Sequence, residues 1–160
     1  MSMIKELSEP DARSALCRII LADLPDWFGR PDATEEYIKA VAGMTTFVWE
    51  VDGVEAGFTA LSRPTTDTFE VHVMGILRRY HRRGGGRKLV KACESYARLA
   101  GAVFLSVRTV GPSAPDPCYA TTRAFYKSCG MAALAEFPEH WGPGTPMLLM
   151  AKHIREKDNQ

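Results

Sequence analysis

The sequence predicts a mixed α/β domain, and three observations support this prediction. Apolar residues recur at helical spacing in some segments and form short continuous runs, typical of strands, in others. The dipeptide Asp52-Gly53 lies between two strand-like segments, which is a strong sign of a β-hairpin. Helical and strand-like segments alternate in the second half of the chain. We therefore expect a sheet that contains a parallel pair joined by helical crossovers.

Two helices are expected before the first strand. Residues 11–23 carry apolar side chains at helical spacing, and Pro25 ends that segment. Asp32 and Glu35 have the spacing of a capping box, which predicts a second helix that begins at Asp32 and stops at Gly43. Three strands follow, with the sequences TTFVWEV, GFTALS and FEVHVMGIL. No element is predicted before residue 11.

The second half of the chain is predicted to add two helices and three strands. The glycine-rich segment 82–101 opens a third helix, which Gly101 ends. Residues 102–107 form a short buried strand. Asp116 and Pro117 are an N-cap and a first-turn proline for a fourth helix, and Gly130 is its C-cap. The apolar runs MAALAEF and PMLLMAKHI complete the order α, α, β, β, β, α, β, α, β, β.

Composition limits the class of protein. A chain of 160 residues can bury one core, so we predict a single domain over residues 1–160. The formal net charge of +1 gives no general reason to expect a nucleic acid or a membrane surface as partner. No run is long enough for a membrane span. The four cysteines lack the spacing of metal ligands, so we expect no metal and a reduced, cytoplasmic setting.

One stretch of the chain is strongly basic. Residues 78–88, RRYHRRGGGRK, contain six Lys and Arg residues and no acid, and they join a predicted strand to a helix N-terminus. Glycines let the backbone approach a ligand closely, and the unpaired N–H groups and dipole of a helix start favour a phosphate. The alternative is a solvated basic turn. The segment fits neither the P-loop pattern nor the dinucleotide pattern GxGxxG.

This segment resembles the signature (Q/R)-x-x-G-x-(G/A) of the Gcn5-related N-acetyltransferase (GNAT) family. Gly84 and Gly86 take the glycine positions, and His81 stands where the family usually has Gln or Arg. The run TRAFYKSCGM resembles the family's "fYeklGF" ending of the fourth helix, with Met131 in place of Phe. The resemblance covers roughly residues 45–152. It implies a single-domain acyl-CoA N-acyltransferase (GNAT-like) fold, in which helices flank a mixed central sheet.

The resemblance also implies an acetyl-CoA-dependent N-acetyltransferase with no metal. The pyrophosphate of coenzyme A would lie against the loop, whose implied ligands are His81, Arg82, Arg83, Gly84, Gly85, Gly86 and Arg87. Backbone N–H groups of the strand that enters this loop would hold the thioester carbonyl as it gains charge. The residues implied for that role are Met74, Ile76 and Leu77.

Three side chains are candidates for proton transfer. Tyr126 matches the family's tyrosine near the coenzyme sulfur, and phenols, with a pKa of about 10, can protonate a thiolate. Glu70 matches the glutamate base of histone-acetylating members, and His72 lies two residues further on the same strand face. Either could take the amine proton, directly or through water, although histidines titrate nearer neutral pH. The alternatives are a packed helix tyrosine and two ordinary polar residues of a sheet edge.

The acceptor is expected to be an amine on a small molecule or a peptide. The resemblance places Trp27, Phe28, Trp141 and the loop 142–146 around the acceptor, where aromatic rings would form an apolar wall. Acidic residues in the same region leave a polycationic acceptor open, namely Asp23, Asp26, Asp32, Glu35 and Glu36. A homodimer is also left open.

Two other functions compete with acetyl transfer. One is an acyl-CoA-binding sensor that has lost turnover, which the loss of Tyr126 and Glu70 would favour, and both are present. The other is a small nucleic-acid binder that uses the basic turn on the phosphate backbone. A near-neutral chain with one short basic turn argues against the second, since such binders usually spread their cations over a whole face.

Overall fold

The computed structural model describes residues 1–155. Its elements, in chain order, are β1 (Ser2–Leu7), α1 (Pro10–Ala22), α2 (Pro31–Ala40), β2 (Thr45–Val51), β3 (Val54–Thr65), β4 (Thr68–Ile76), α3 (Gly85–Leu99), β5 (Phe104–Val110), α4 (Pro117–Ser128), β6 (Ala132–Phe137) and β7 (Met147–His153). The strands form one mixed sheet in the order β1-β2-β3-β4-β5-β7-β6, so the predicted α/β class is confirmed. Within the described range, no helix combines the length and apolar content needed to cross a membrane.

The chain divides into two compact units, which are described separately. The first contains Met1–Ser62 and Val71–Cys93. Its core forms where the apolar face of α1 packs on the sheet, because Cys17 and Ile20 lie one helical turn apart and are both fully buried. They join Val48, Phe58 and Val73 of the three neighbouring strands in one hydrophobic cluster.

The hairpin between β2 and β3 forms at the predicted dipeptide. Asp52 and Gly53 have φ values of 48° and 82°, the two positive angles that a tight two-residue hairpin turn requires. Val51 pairs with Val54 across the turn, and the register shifts by one residue between Trp49 and Glu50. This bulge fixes how the segment after the turn aligns with β2.

Two predictions for the first unit were wrong. Strand β1, which was not predicted, pairs antiparallel with β2 from Ser2 opposite Val51 onward, so its conformation depends on a partner distant in sequence. The predicted capping box is absent because α2 begins at Pro31, with Arg30 as an N-cap that makes no side-chain bond. The Glu35 carboxylate instead binds the guanidinium of Arg18 on α1.

The second unit contains Arg63–Glu70 and the chain from Glu94 onward. Strand β7 lies between β5 and β6 and is antiparallel to both. The predicted start of α4 is confirmed, since the Asp116 carboxylate accepts the N–H of Cys118 at 2.9 Å and Pro117 begins the helix. Gly101 and Gly130 follow α3 and α4 with φ values of 84° and 93°, as predicted for helix-ending glycines.

Candidate active site

The glycine-rich segment of the first unit turns sharply between β4 and α3. Arg78–Tyr80 form one 3₁₀ turn, after which Arg82 and Gly84 adopt φ values of 60° and 82°. The first hydrogen bond of α3 runs from the Lys88 N–H to the Gly84 carbonyl at 3.2 Å. The N–H groups of residues 85–87 therefore precede the helical ladder, and a helix start of this kind attracts anions.

The consecutive glycines differ in their surroundings. A Cβ at Gly85 would lie 2.1 Å from Cε3 of Trp49, so the buried indole leaves no room for a side chain. A Cβ at Gly84 would meet nothing within 4 Å, and the residue is exposed. Gly84 thus presents bare backbone beside the exposed side chains of Arg82, Arg83 and Arg87. This open, cationic cradle fits a pyrophosphate.

Arg78 has a structural role that distinguishes it from the other arginines of the segment. Its backbone N–H donates to Oδ2 of Asp23 at 2.7 Å, and its Nε donates to the Asp23 carbonyl at 2.9 Å. Its Nη2 donates to Oδ2 of Asp26 at 2.7 Å. The guanidinium also lies 6.0 Å from the ring centroid of Trp27. Arg78 therefore joins the connection after α1 to the turn, and its charge is largely neutralised there.

His81 closes the turn from inside. Its Nε2 lies 2.6 Å from the Ile76 carbonyl, and because a carbonyl only accepts, the imidazole is the donor. The ring also meets Trp27 edge to face, with 6.0 Å between centroids. Next to it, the guanidinium groups of Arg79 and Arg83 each lie 5.1 Å from the Tyr80 ring centroid. The turn is thus shaped by its own side chains.

Half-buried aromatic rings from three separate segments of the first unit form a row. Tyr37 of α2 meets His72 of β4 with 5.4 Å between centroids and planes inclined by 68°. On its other side Tyr37 meets Phe28, which follows α1, at 5.9 Å and 89°. Edge-to-face contacts of this kind hold rings in defined orientations. His72, a predicted base, therefore lies beside an aromatic surface.

Glu70 and Tyr126, in the second unit, are both buried. Glu70 is 5% exposed, and its carboxylate accepts hydrogen bonds from Nε and Nη2 of Arg108 at 2.7 and 3.0 Å. The structure describes all twelve residues of α4, and Tyr126 is the one among them that is buried. The centroid of its ring lies 5.1 Å from that of Phe125. A buried phenol at this position is compatible with a general acid and also with simple packing.

Comparison with known families identifies the class. The model of the acetyltransferase (GNAT) family matches residues 13–131, a range that includes the turn and Tyr126. This protein is a GNAT-family acetyltransferase. The family and the fold predicted from the sequence are thereby confirmed. Among curated proteins, none matches the chain.

Solved structures of other GNAT proteins share the fold. A member from Desulfovibrio desulfuricans has 20% identity and a TM-score of 0.80, with 96% of this chain and 99% of the other covered. An aminoglycoside 6'-N-acetyltransferase with coenzyme A has 16% identity, a TM-score of 0.74 and coverages of 98% and 99%. A member from Elizabethkingia anophelis with acetyl-CoA bound has 13% identity, a TM-score of 0.73 and coverages of 95% and 97%. The predicted co-substrate is thus one that structural relatives hold.

One of the predicted backbone donors is occupied within the GNAT domain. The N–H of Leu77 donates to the Ala56 carbonyl at 2.9 Å, so it is not available to a thioester, and the prediction for Leu77 is corrected. Met74 and Ile76 are half-buried residues of β4 and keep their predicted role as proposals. Trp141, 37% exposed in the second unit, stays a predicted part of the acceptor wall.

Sequence reasoning missed several residues that shape this site. Tyr37 gave no signal beyond an aromatic residue on a helix, and Trp49 looked like an ordinary core residue. Arg108 did give one, because it is the single charge in the apolar strand FLSVRTV and a lone charge in such a strand needs a partner. No group of His, Cys, Asp and Glu residues in the described part of the chain could hold a metal ion.

Proposed function

We propose that this protein is an N-acetyltransferase that uses acetyl-CoA to acylate a primary amine by direct attack. The observation that carries the proposal is the turn before α3, where exposed arginines surround the bare backbone of Gly84 at a helix start. Arg82, Arg83 and Arg87, with the backbone of Gly84–Gly86, would hold the pyrophosphate. His81 would act indirectly, by keeping the turn in shape through its bond to Ile76.

The chemistry requires a polarised carbonyl, a base and an acid. Bound acetyl-CoA would supply an activated thioester. Backbone N–H groups at Met74 or Ile76 would stabilise the negative charge that develops on its carbonyl oxygen. Tyr126 would donate the proton that the departing thiolate needs.

Two residues, Glu70 and His72, remain candidates for the base, acting directly or through water. Glu70 could accept a proton only by weakening two charge-assisted bonds to Arg108. The His72 ring meets Tyr37 edge to face, and an imidazole is suited to proton transfer near neutral pH. These features favour His72.

The proposal is tested by two measurements on the same preparation. Acetyl-CoA should raise the melting temperature by linkage, whereas a short DNA duplex should not. Release of free thiol from acetyl-CoA should then depend on added amine. Stabilisation without amine-dependent thiol release would identify the sensor function instead. Stabilisation by the duplex and not by acetyl-CoA would identify a nucleic-acid binder.

A further inference from the structure

The surface next to His72 determines which acceptors can bind there. If His72 takes the proton, the acceptor nitrogen lies close to its imidazole, and the rest of the acceptor meets whatever surrounds that ring. The His72 ring meets Tyr37 at a centroid distance of 5.4 Å, and Tyr37 in turn meets Phe28 at 5.9 Å. All three rings are half-buried, so part of each aromatic surface remains open to a ligand.

The apolar surface continues beyond this row. Phe28 also lines a cavity of about 240 Å³ between α1 and α2, together with Leu21, Pro25 and Ile38. The polar groups on its wall include Arg18 and Glu35, which are bound to each other. An apolar wall with few and mutually satisfied polar groups is typical of sites that bind a hydrocarbon or aromatic group.

Three of the five acidic residues predicted near the acceptor are engaged by arginines. The Asp23 carboxylate accepts the backbone N–H of Arg78, and Asp26 accepts its guanidinium, each at 2.7 Å. Glu35 is held by Arg18 through both of its oxygens. A polycationic acceptor would need carboxylates that can pair with its extra ammonium groups. These three would have to break existing bonds first, and the arginines would repel a polycation.

We infer that the acceptor is a monoamine with an aromatic or bulky apolar substituent, which packs against Tyr37 and Phe28 while its nitrogen faces His72. This inference rests on the proposed function, because it takes His72 as the group nearest the reacting amine. It distinguishes this protein from the aminoglycoside 6'-N-acetyltransferase that shares its fold. A single ammonium group needs no additional carboxylate partners, and an aromatic ring can pack against the rings of Tyr37 and Phe28.

The test compares four acceptors in the thiol-release reaction: 2-phenylethylamine, ethylamine, spermidine and kanamycin. We expect kcat/KM for 2-phenylethylamine to exceed that for each of the others by at least about tenfold. A tenfold preference needs only part of the free energy that burial of an aromatic ring can supply. A preference for spermidine or kanamycin would overturn the inference. Turnover with none of the four, in protein that acetyl-CoA still stabilises, would also overturn it and leave the cofactor assignment standing. Loss of that stabilisation as well would overturn the proposed function itself.

A variant separates contact with the ring from a general structural effect. Tyr37→Ala should raise KM for 2-phenylethylamine by about tenfold or more and change KM for ethylamine little, because ethylamine has no ring to lose contact. Tyr37→Leu should recover part of the affinity, and Phe28→Leu gives a second reading if Tyr37→Ala does not fold. Phe137→Ala, an exposed aromatic position on β6, is the matched control. Equal changes for both amines would overturn the inference, since they would indicate a structural role.

Discussion

Arg108 binds both carboxylate oxygens of Glu70 in a side-by-side arrangement, with Nε 2.7 Å from Oε1 and Nη2 3.0 Å from Oε2. The Glu70 side chain is 7% exposed, whereas that of Arg108 is 42% exposed. A carboxylate with so little access to water depends on this guanidinium for most of its stabilisation. The pair therefore bears on both the stability of the second unit and the choice of base.

Removal of Arg108 should cost more stability than removal of the Glu70 charge. Arg108→Met leaves a buried carboxylate without its partner, and we expect a loss of about 1–3 kcal/mol in the free energy of unfolding. Glu70→Gln keeps an amide that can still accept from the guanidinium, so its loss should be smaller. Urea denaturation of the two single variants and the double variant measures the coupling. Strictly additive losses would contradict the pairing.

Replacement of His72 should affect turnover more than replacement of Glu70. If His72 is the base, His72→Asn should lower kcat by about 10²-fold or more, the usual contribution of a general base. It should also remove the limb of the pH–rate profile that reports an imidazole. Glu70→Gln, matched in being two residues away on the same strand, should keep that limb. The opposite ranking would identify Glu70 as the base.

Tyr126→Phe should separate chemistry from binding. The substitution removes one oxygen and keeps the ring that packs beside Phe125. Turnover should fall by about 10²–10⁴-fold, while the affinity for acetyl-CoA and the melting temperature change little. Tyr119→Phe, on the same helix but only half-buried, is the control for loss of a phenol. Near-normal turnover of Tyr126→Phe would show that the phenol serves packing or that water replaces it.

The parts of this structure that were predictable from sequence are local. The Asp52-Gly53 turn, the Asp116 cap and the glycines after α3 and α4 each depend on residues a few positions apart. Their conformations follow from backbone sterics and from unpaired helix-end groups, which a short segment already determines. The basic turn belongs to the same class, since cations, glycines and a helix start are consecutive in the chain.

The parts that were not predictable depend on pairs distant in sequence. Strand β1 is only six residues long and exists because β2 offers a hydrogen-bonding edge. Glu70 and Arg108 are 38 residues apart, and nothing in either segment specifies the other. The Glu35 side chain is bound by Arg18, from another helix, so a spacing that fits a capping box was misleading. Tertiary partners decide such cases, and propensity does not.

The glycines at the start of α3 should respond differently to substitution. Gly85→Ala places a Cβ 2.1 Å from Cε3 of Trp49, so it should lower the free energy of unfolding by about 1–3 kcal/mol or more through overpacking. Gly84→Ala has open space but a φ of 82°, so a cost of about 1–2 kcal/mol comes from the backbone alone. Thermal or urea denaturation checks both values. A Gly85→Ala variant as stable as the wild type would contradict the proposed clash.

Gly86→Asp tests the phosphate cradle. The carboxylate would stand at the helix start and repel the pyrophosphate, so the affinity for acetyl-CoA should fall by at least tenfold, or about 1.4 kcal/mol. Isothermal titration calorimetry measures this directly. Gly101→Asp, just after the other end of α3, is a control with the same change of charge, and its φ of 84° adds a backbone cost that measurement of the melting temperature will show. An unchanged affinity of Gly86→Asp would place the cofactor elsewhere.

The buried thiol of Cys17 should make the free energy of unfolding fall at alkaline pH. Burial raises the pKa of this thiol from its ordinary value of 9.0 to about 12, against a smaller opposing effect of Arg18. An unfolded chain releases the proton from about pH 9, whereas the folded protein retains it until about pH 12. Stability from this group is therefore complete below pH 9 and is lost as the pH rises toward 12. The difference in unfolding free energy between wild type and Cys17→Ala should narrow over that range, and a constant difference would contradict the shift.

Arg78 has a consequence for the binding of the two substrates. Its hydrogen bonds to Asp23 and Asp26 link the connection after α1 to the turn before α3. The same connection carries Phe28, and the same turn carries the phosphate cradle. A ligand that orders the turn therefore also orders the apolar surface at Phe28 that the amine is proposed to contact. Such coupling is reciprocal. We expect acetyl-CoA and the amine each to raise the affinity for the other, and this mutual enhancement should weaken when Arg78 is shortened to alanine.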